Sequence, residues 1–217
     1  MNIMAINCGS SSLKCRLIRM PEETLLMRGE AERIGTKTDG PSTLSCTAAG
    51  KTHTREYAMP DHAAAFQKVL TLCQEELDFS LDCFAHRYVH PGTVFKKTVL
   101  LNKKRLEKLR STLTYAPLHN PICFSLIEFC FHEFPEKRHT VVFDTSFHAS
   151  IPEVYATYAL PQEMTRHRAY RRVGFHGISH EYVTREACRS LEVPFDRQRI
   201  ISCHLGSGGS SVCAVQN

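Results

Sequence analysis

Two short glycine- and serine-rich segments carry the groups best suited to bind phosphate. The first, Gly9-Ser10-Ser11-Ser12, lies between two alternating, strand-like patterns and is followed by Lys14. Gly9 lets the backbone turn and approach a ligand closely. Backbone N–H groups in such a turn form a concave anion site, and a lysine adds positive charge. A polar β-hairpin turn without a ligand is the alternative interpretation, since the Walker pattern is absent.

The second segment, Gly206-Ser207-Gly208-Gly209, repeats this chemistry after another strand-like stretch. Its glycines carry no side chains, so backbone N–H groups can approach an oxyanion. His204 lies just before the segment and could reach the same ligand; a histidine packed at a strand end is the alternative. Two such segments in one chain favour phosphate binding more than either does alone.

Two charged residues in apolar surroundings are further candidates for a catalytic or ligand-binding role. Asp144 follows a short apolar strand, the position where α/β folds place catalytic groups. It could hold Mg²⁺ through water, orient a nucleophile or cap the next element. Arg87 lies inside an apolar strand and therefore needs a partner. An anionic ligand and a buried acidic residue are the two candidates, and spacing alone favours the acidic residue.

Two histidine pairs raise the alternative of a zinc site. His86 and His90 are four residues apart, as are His176 and His180. Residues four apart on a strand lie far from each other along it, and neither pair has a third ligand nearby. The sequence therefore does not favour zinc.

Composition narrows the class of protein. The 217 residues suffice for one large domain or two small ones, each with its own core. A net charge of +5 suits an anionic small molecule, and nucleic acid is the weaker inference because long basic runs with aromatic residues are absent. Ten cysteines without a C-x-x-C pair predict a reduced, cytoplasmic protein. The sequence shows no leader, and its most apolar run, 122–131, is too short to cross a membrane.

The candidate residues must be positioned by an α/β fold. Alternating apolar residues predict a β-rich meander over residues 1–59. Beyond residue 60 strands and helices alternate, which is typical of a mixed β-sheet flanked by helices. We predict helices from Asp61 (as the cap), over 103–113, from Asn120-Pro121, and over 179–191 with Ser179 as the cap, and strands over 83–90, 140–143, 199–204 and 212–215.

Taken together, these motifs resemble those of the acetate, propionate and butyrate kinases, within the sugar kinase/Hsp70/actin superfamily. The resemblance covers the whole chain and implies a ribonuclease H-like, actin-like ATPase fold. Residues 1–59 would be the meander, 60–198 the substrate-binding part and 199–217 the start of the nucleotide-binding domain. The matching segments, in order, are Asn7-x-Gly-Ser-Ser-Ser-x-Lys14, His86-Arg-x-Val-His90, Ala116-Pro-Leu-His-Asn-Pro121, Phe143-Asp-Thr-x-Phe-His148, Tyr158-Ala-Leu-Pro161, Arg172-x-Gly-Phe-His-Gly-x-Ser-His180 and Cys203-His-Leu-Gly206.

The resemblance implies reversible phosphoryl transfer from ATP to acetate or another short-chain carboxylate, with Mg²⁺ as cofactor. It assigns the phosphate path to Asn7, Ser10, Ser12 and Lys14, with Asn7 also at the metal. It assigns carboxylate or phosphoryl binding to Arg87, the acyl pocket to Val89 and Leu118, and charge stabilisation to His119 and His176. It places Asp144 near the metal, and His204, Gly206, Ser207, Gly208 and Gly209 against the ATP phosphates.

Three departures from the family pattern leave alternatives open. Pro91 replaces a glycine behind Arg87, and proline removes a hydrogen-bond donor. Ser207 replaces an asparagine expected at the nucleotide, so ATP and pyrophosphate both remain candidate donors. The chain has about half the family's length. A catalytically inactive fragment that acts as a binding or regulatory module is therefore the alternative function, and a homodimer is expected of the full-length protein.

Overall fold

The computed structural model describes residues 1–36, 40–166, 170–206 and 209–216. Within them the strands are β1 (Asn2–Cys8), β2 (Ser12–Arg19), β3 (Thr24–Glu32), β4 (Ser42–Ala48), β5 (Lys51–Tyr57), β6 (Cys83–Tyr88), β7 (Val99–Leu100), β8 (Arg138–Phe143), β9 (Arg199–His204) and β10 (Ser211–Gln216). The helices are α1 (His62–Glu76), α2 (Lys103–Arg110), α3 (Asn120–Glu133), α4 (Glu153–Ala156), α5 (Gln162–Arg166) and α6 (Gly177–Ser190). Short 3₁₀ turns lie at Leu113–Tyr115, Phe147–Ser150 and Phe195–Arg197.

The chain divides into two compact units. The first comprises Met1–Tyr88 and Val99–Val142, and the second comprises Val89–Thr98 and Phe143–Asn217.

The first unit is built on an eight-stranded mixed sheet with the strand order β5-β4-β3-β2-β1-β6-β8-β7. The meander β1 to β5 is antiparallel throughout, whereas β1 and β6 run parallel. In β2, Leu13, Cys15 and Leu17 are buried while Lys14 and Arg16 are exposed, as the alternating pattern predicts. The predicted β-rich N-terminal region is thus observed.

Helices α1 and α3 cover this sheet. Asp61 caps α1, its Oδ1 accepting the N–H of Ala64 at 2.8 Å, as predicted. Helix α1 packs on β2, β3 and β4, and α3 packs on β1 and β6. The core between these layers includes the fully buried Phe66 and Phe84, whose rings meet edge to face at 6.0 Å. Burial of large aromatic side chains provides much of a core's stabilisation.

The second unit contains the antiparallel hairpin β9–β10 and helix α6, which packs on β9. Helix α6 begins two residues earlier than predicted, and its cap position is His176 rather than Ser179. The prediction of a Ser179 cap is therefore wrong. The Ser179 hydroxyl instead hydrogen-bonds His204 at 3.0 Å. A contact to a residue 25 positions away cannot be inferred from local sequence.

Candidate functional site

The turn that joins β1 to β2 is held from several sides. The N–H of Gly9 donates to the carbonyl of Ser12 at 2.8 Å. The ring Nε2 of His62, at the start of α1, contacts the Gly9 carbonyl at 2.9 Å, and Ile34 donates its N–H to the Ser11 carbonyl at 3.0 Å. The turn is therefore a fixed part of the first unit. A preorganised turn can offer N–H groups to an anion without paying to order them.

The hydroxyl-bearing side chains of this turn are accessible. Ser10 is exposed and Ser12 is half-buried. Lys14 is exposed on β2 and lies opposite Asn7 in the antiparallel register. The predicted phosphate-binding residues Asn7, Ser10, Ser12 and Lys14 thus belong to one hairpin.

Arg87 points to this hairpin. It is half-buried on β6, and its Nη1 donates to Oδ1 of Asn7 at 2.8 Å. The parallel register of β1 and β6 pairs Ile6 with His86, which brings the two following residues side by side. Spacing alone favoured an acidic partner for Arg87. The structure shows that an amide is one of its partners, and this hydrogen bond orients the guanidinium.

Leu118 and His119 lie together just before α3. Both are exposed, and Leu118 is 78% accessible to solvent. Their backbone is fixed because the buried Asn120 donates from its side-chain amide to the carbonyl of Thr112 at 2.9 Å. His119 also accepts the N–H of Cys123 at 3.1 Å on its carbonyl. Two predicted site residues are therefore presented outward on a rigid helix start, which is the predicted start with proline in its first turn.

In the second unit, Asp144 follows β8 and is 2% exposed. Its carbonyl accepts the N–H of Gly177, the first residue of α6, at 2.8 Å. A Cβ on Gly177 would collide with that carbonyl oxygen, so only glycine allows α6 to start this close to Asp144. Val89, which also belongs to the second unit, is half-buried.

His176 and His204 are brought together by the structure. Their rings stack at a centroid distance of 4.1 Å with an interplanar angle of 17°. His176 has left-handed backbone angles, φ 56° and ψ 25°. Its Nδ1 lies 2.8 Å from Oγ of Ser211, and Nδ1 of His204 lies 3.0 Å from Oγ of Ser179. Each ring thus has one nitrogen held by a serine.

Gly209, at the end of the second glycine-rich segment, lies beside this pair. The N–H of Gly209 donates to the carbonyl of Gly206 at 3.3 Å. A Cβ on Gly209 would stand 3.7 Å from Cε1 and 3.9 Å from Nε2 of His176. Of the predicted nucleotide-binding residues, Ser207 and Gly208 lie outside the described residues. The others, His204, Gly206 and Gly209, form one cluster with His176.

Sequence reasoning missed two serines and gave no role to one histidine of this cluster. His180 is 1% exposed, and its Nδ1 and Nε2 lie 2.6 Å from Oγ of Ser202 and 2.8 Å from Oγ of Ser211. Burial, reinforced by the nearby imidazoles of His148, His176 and His204, lowers the pKa of His180. Neither β9 nor β10 alternates polar and apolar residues, so no local pattern marked Ser202 or Ser211, whereas His180 ends the matching segment 172–180.

The histidines considered as zinc ligands have protein partners. His86 Nε2 lies 3.5 Å from Nδ1 of His139, and both nitrogens of His180 face serines. The chain segments 1–36, 40–166, 170–206 and 209–216 contain no group of three His, Cys, Asp or Glu residues that could hold a metal ion. Within the same segments, no helix combines the length and apolarity needed to cross a membrane.

Solved structures give the class of fold. The chain superimposes on acetate kinase from Porphyromonas gingivalis with a TM-score of 0.88 and 34% identity, covering 100% of this chain and 55% of that one. A propionate kinase from Francisella tularensis subsp. tularensis matches with a TM-score of 0.85 and 35% identity, covering 99% and 54%. The protein therefore has the actin-like ATPase fold of these kinases, and the predicted fold class is confirmed.

Sequence comparison identifies the family. Residues 2–217 match the Acetokinase family, to which the chain belongs. It is 40% identical to acetate kinase of Shouchella clausii over 218 residues, and 40% identical to that of Helicobacter hepaticus over 223 residues. These alignments cover 99% and 100% of this chain, and 54% and 55% of the relatives. The chain thus spans about half the length of the curated relatives it matches.

Proposed function

We propose that the protein takes part in reversible phosphoryl transfer between ATP and a short-chain carboxylate, acetate in the first place, giving an acyl phosphate and ADP. Its relatives are named acetate kinase and propionate kinase, which supports this function and not an inactive binding module. The observation that carries the proposal is Arg87, held by Asn7 beside a fixed glycine-serine turn. Phosphoryl transfer needs oriented positive charge and N–H donors more than covalent chemistry.

Arg87 would bind the carboxylate or the phosphoryl group in transit. Asn7 accepts from Nη1 and so fixes the orientation of the guanidinium, which carries five N–H donors in all. A guanidinium can grip a carboxylate or a phosphate through two parallel hydrogen bonds. Val89 and Leu118 would border the acyl group, and Ser10, Ser12 and Lys14 would line the phosphate path. Leu118 supports this role because such an exposed apolar side chain is free to contact a ligand.

His119, His176 and His204 would stabilise the charge of the transferring phosphoryl group and the ATP phosphates. The stacked pair His176–His204 supports this, because each ring is fixed by a serine and His176 lies next to Gly209. Preorganised donors of this kind cost no reorganisation at the moment of reaction. Ser207 and Gly208 remain predictions from the resemblance.

The residues present fit a hydrated Mg²⁺ and not an all-protein cage. Mg²⁺ prefers oxygen ligands and keeps several waters, with one or two carboxylates and the substrate phosphates completing its shell. The buried carboxylate of Asp144 is suited to this role. Asn7 is a weaker candidate, since its Oδ1 already accepts from Arg87. Bound Mg²⁺ would neutralise charge on the phosphates.

The test is a hydroxamate assay for acyl phosphate. Full-length protein is incubated with Mg²⁺, acetate, propionate or butyrate, and either ATP or pyrophosphate as donor. We expect hydroxamate with ATP and acetate, and less with the longer acids. If no pair yields hydroxamate, the proposed function fails. A preference for pyrophosphate would keep the carboxylate chemistry and replace the donor.

Two further properties belong to the proposal. All ten cysteines are free and seven of them are buried, which supports a reducing compartment such as the cytoplasm. A homodimer is expected from the resemblance alone, and sedimentation of the full-length protein would test it.

A further inference from the structure

The hydroxyl of Ser211 lies between two histidine rings. Its Oγ is 2.8 Å from Nδ1 of His176 and 2.8 Å from Nε2 of His180. A hydroxyl has one proton, so it can donate to only one of these nitrogens and must accept an N–H from the other. The proton positions of the two rings are therefore linked through Ser211.

His180 extends this chain to Ser202, since its Nδ1 lies 2.6 Å from the Ser202 Oγ. The lowered pKa of His180 keeps this ring neutral near pH 7, with one N–H to share between two serines. If that N–H is on Nε2, it donates to Ser211, and Ser211 donates to His176. If the N–H is on Nδ1, it donates to Ser202, and every hydrogen bond between His176 and Ser202 reverses its direction.

The surroundings of His176 distinguish the two arrangements. Stacking on His204 fixes the ring plane, and the Nε2 edge faces Gly209 of the glycine segment. A proton on Nε2 gives that edge a hydrogen-bond donor, which suits a phosphate oxygen. A proton on Nδ1 of a neutral ring would present a lone pair there and repel phosphate. Nε2–H is also the tautomer that an unperturbed imidazole prefers.

We propose that Ser211 is a positioning residue whose hydroxyl donates to Nδ1 of His176 and so keeps the proton of that ring on Nε2, facing Gly209. His180 acts behind it by donating Nε2–H to the Ser211 oxygen, and Ser202 donates to Nδ1 of His180. The choice between the two tautomers and its catalytic meaning rest on the proposed phosphoryl transfer; the hydrogen-bond chain that links the two rings does not.

The direct test is ¹⁵N NMR of the imidazole nitrogens in full-length protein at neutral pH. The signals are assigned by His176→Gln and His180→Gln. We expect a pyrrole-type shift for Nε2 and a pyridine-type shift for Nδ1 in both rings. A pyrrole-type Nδ1 on His176 in the unmutated protein would overturn the proposal without any variant having to fold.

Ser211→Ala removes the linking hydroxyl, and we expect His176 to change towards a mixture of tautomers. Ser211→Thr keeps a hydroxyl and should restore the original shifts, while Ser190→Ala, an exposed serine at the end of α6, is the matched control. Unchanged His176 shifts in a folded Ser211→Ala protein would also overturn the proposal.

If the hydroxamate assay is positive, Ser211→Ala should lower kcat roughly tenfold or more, with a much smaller change in KM for the carboxylate, and Ser211→Thr should recover most of it. A Ser211→Ala protein with unchanged kcat would contradict a positioning role. A protein that shows the expected tautomer but makes no acyl phosphate would refute the proposed function and leave the hydrogen-bond chain intact.

Discussion

The buried pair His86–His139 makes folding stability depend on pH in a defined window. Nε2 of His139 lies 3.0 Å from the carbonyl of Phe134, which can only accept, so that nitrogen carries the proton. Nδ1 of His139 then accepts from Nε2 of His86. His86 is 2% exposed, and burial, with a smaller contribution from His139, lowers its pKa to about 3.

The sign and size of this pH dependence follow from the thermodynamic linkage between proton binding and folding. An unfolded histidine has a pKa of about 6.5, so between pH 6.5 and 3 the unfolded chain binds a proton that the folded chain excludes. The stabilisation is complete above pH 6.5 and is lost as the pH falls towards 3. One pKa unit corresponds to about 1.4 kcal/mol, and pH 5 lies 1.5 units below the unfolded pKa. Because of His86, the unfolding free energy should therefore be about 2 kcal/mol lower at pH 5 than at pH 8.

The measurement is urea unfolding followed by circular dichroism at pH 8, 7, 6 and 5. His86→Phe removes the titrating group and keeps an aromatic ring in contact with Phe84. Between pH 8 and pH 5, the unfolding free energy of the variant should fall by about 2 kcal/mol less than that of the parent, whatever the variant's stability at pH 8. His132→Phe is the control, because His132 is exposed on α3. Parallel pH profiles for the parent and His86→Phe would refute the reasoning.

Three further outcomes are expected. Arg87→Ala should lower hydroxamate production by roughly a hundredfold or more with an unchanged circular dichroism spectrum, since a charged anchor for the substrate is lost. Gly177→Ala should lower the unfolding free energy by about 2 kcal/mol in urea titrations, because its Cβ collides with the Asp144 carbonyl. Asp61→Ala should cost about 1 kcal/mol in the same titrations, because it removes the cap of α1.

Two of these predictions have a control within the chain. Arg16→Ala removes an exposed arginine from β2 and should leave activity unchanged; equal losses for both arginine variants would deny Arg87 a special role. Gly206→Ala introduces only an ordinary contact of 3.5 Å and should destabilise less than Gly177→Ala. An Asp61→Ala protein as stable as the parent would show that the cap contributes nothing measurable.

Several helices and strands could be predicted from the sequence because the residues that mark them lie close together in the chain. Strict alternation in β2 predicted a half-buried strand, and the cap Asp61 and the proline at the start of α3 marked two helix starts. The start of α6 was misread because its cap is a histidine with left-handed backbone angles, whereas local preference favoured Ser179. The two-residue strand β7 and the short helix α4 were not predicted, since they carry too few residues for a periodic pattern.

By itself the sequence determined the fold class, the family and the types of residue that could bind phosphate, because periodicity, turn residues and motif order are properties of the chain. Only the tertiary structure decided which side chains form hydrogen bonds with each other in the candidate site. Arg87 meets Asn7 from 80 residues away, and Ser211 meets His176 from 35 residues away. Strand order and helix packing bring such groups together. A hydrogen bond depends on a few tenths of an ångström, and linear spacing does not specify distance at that scale.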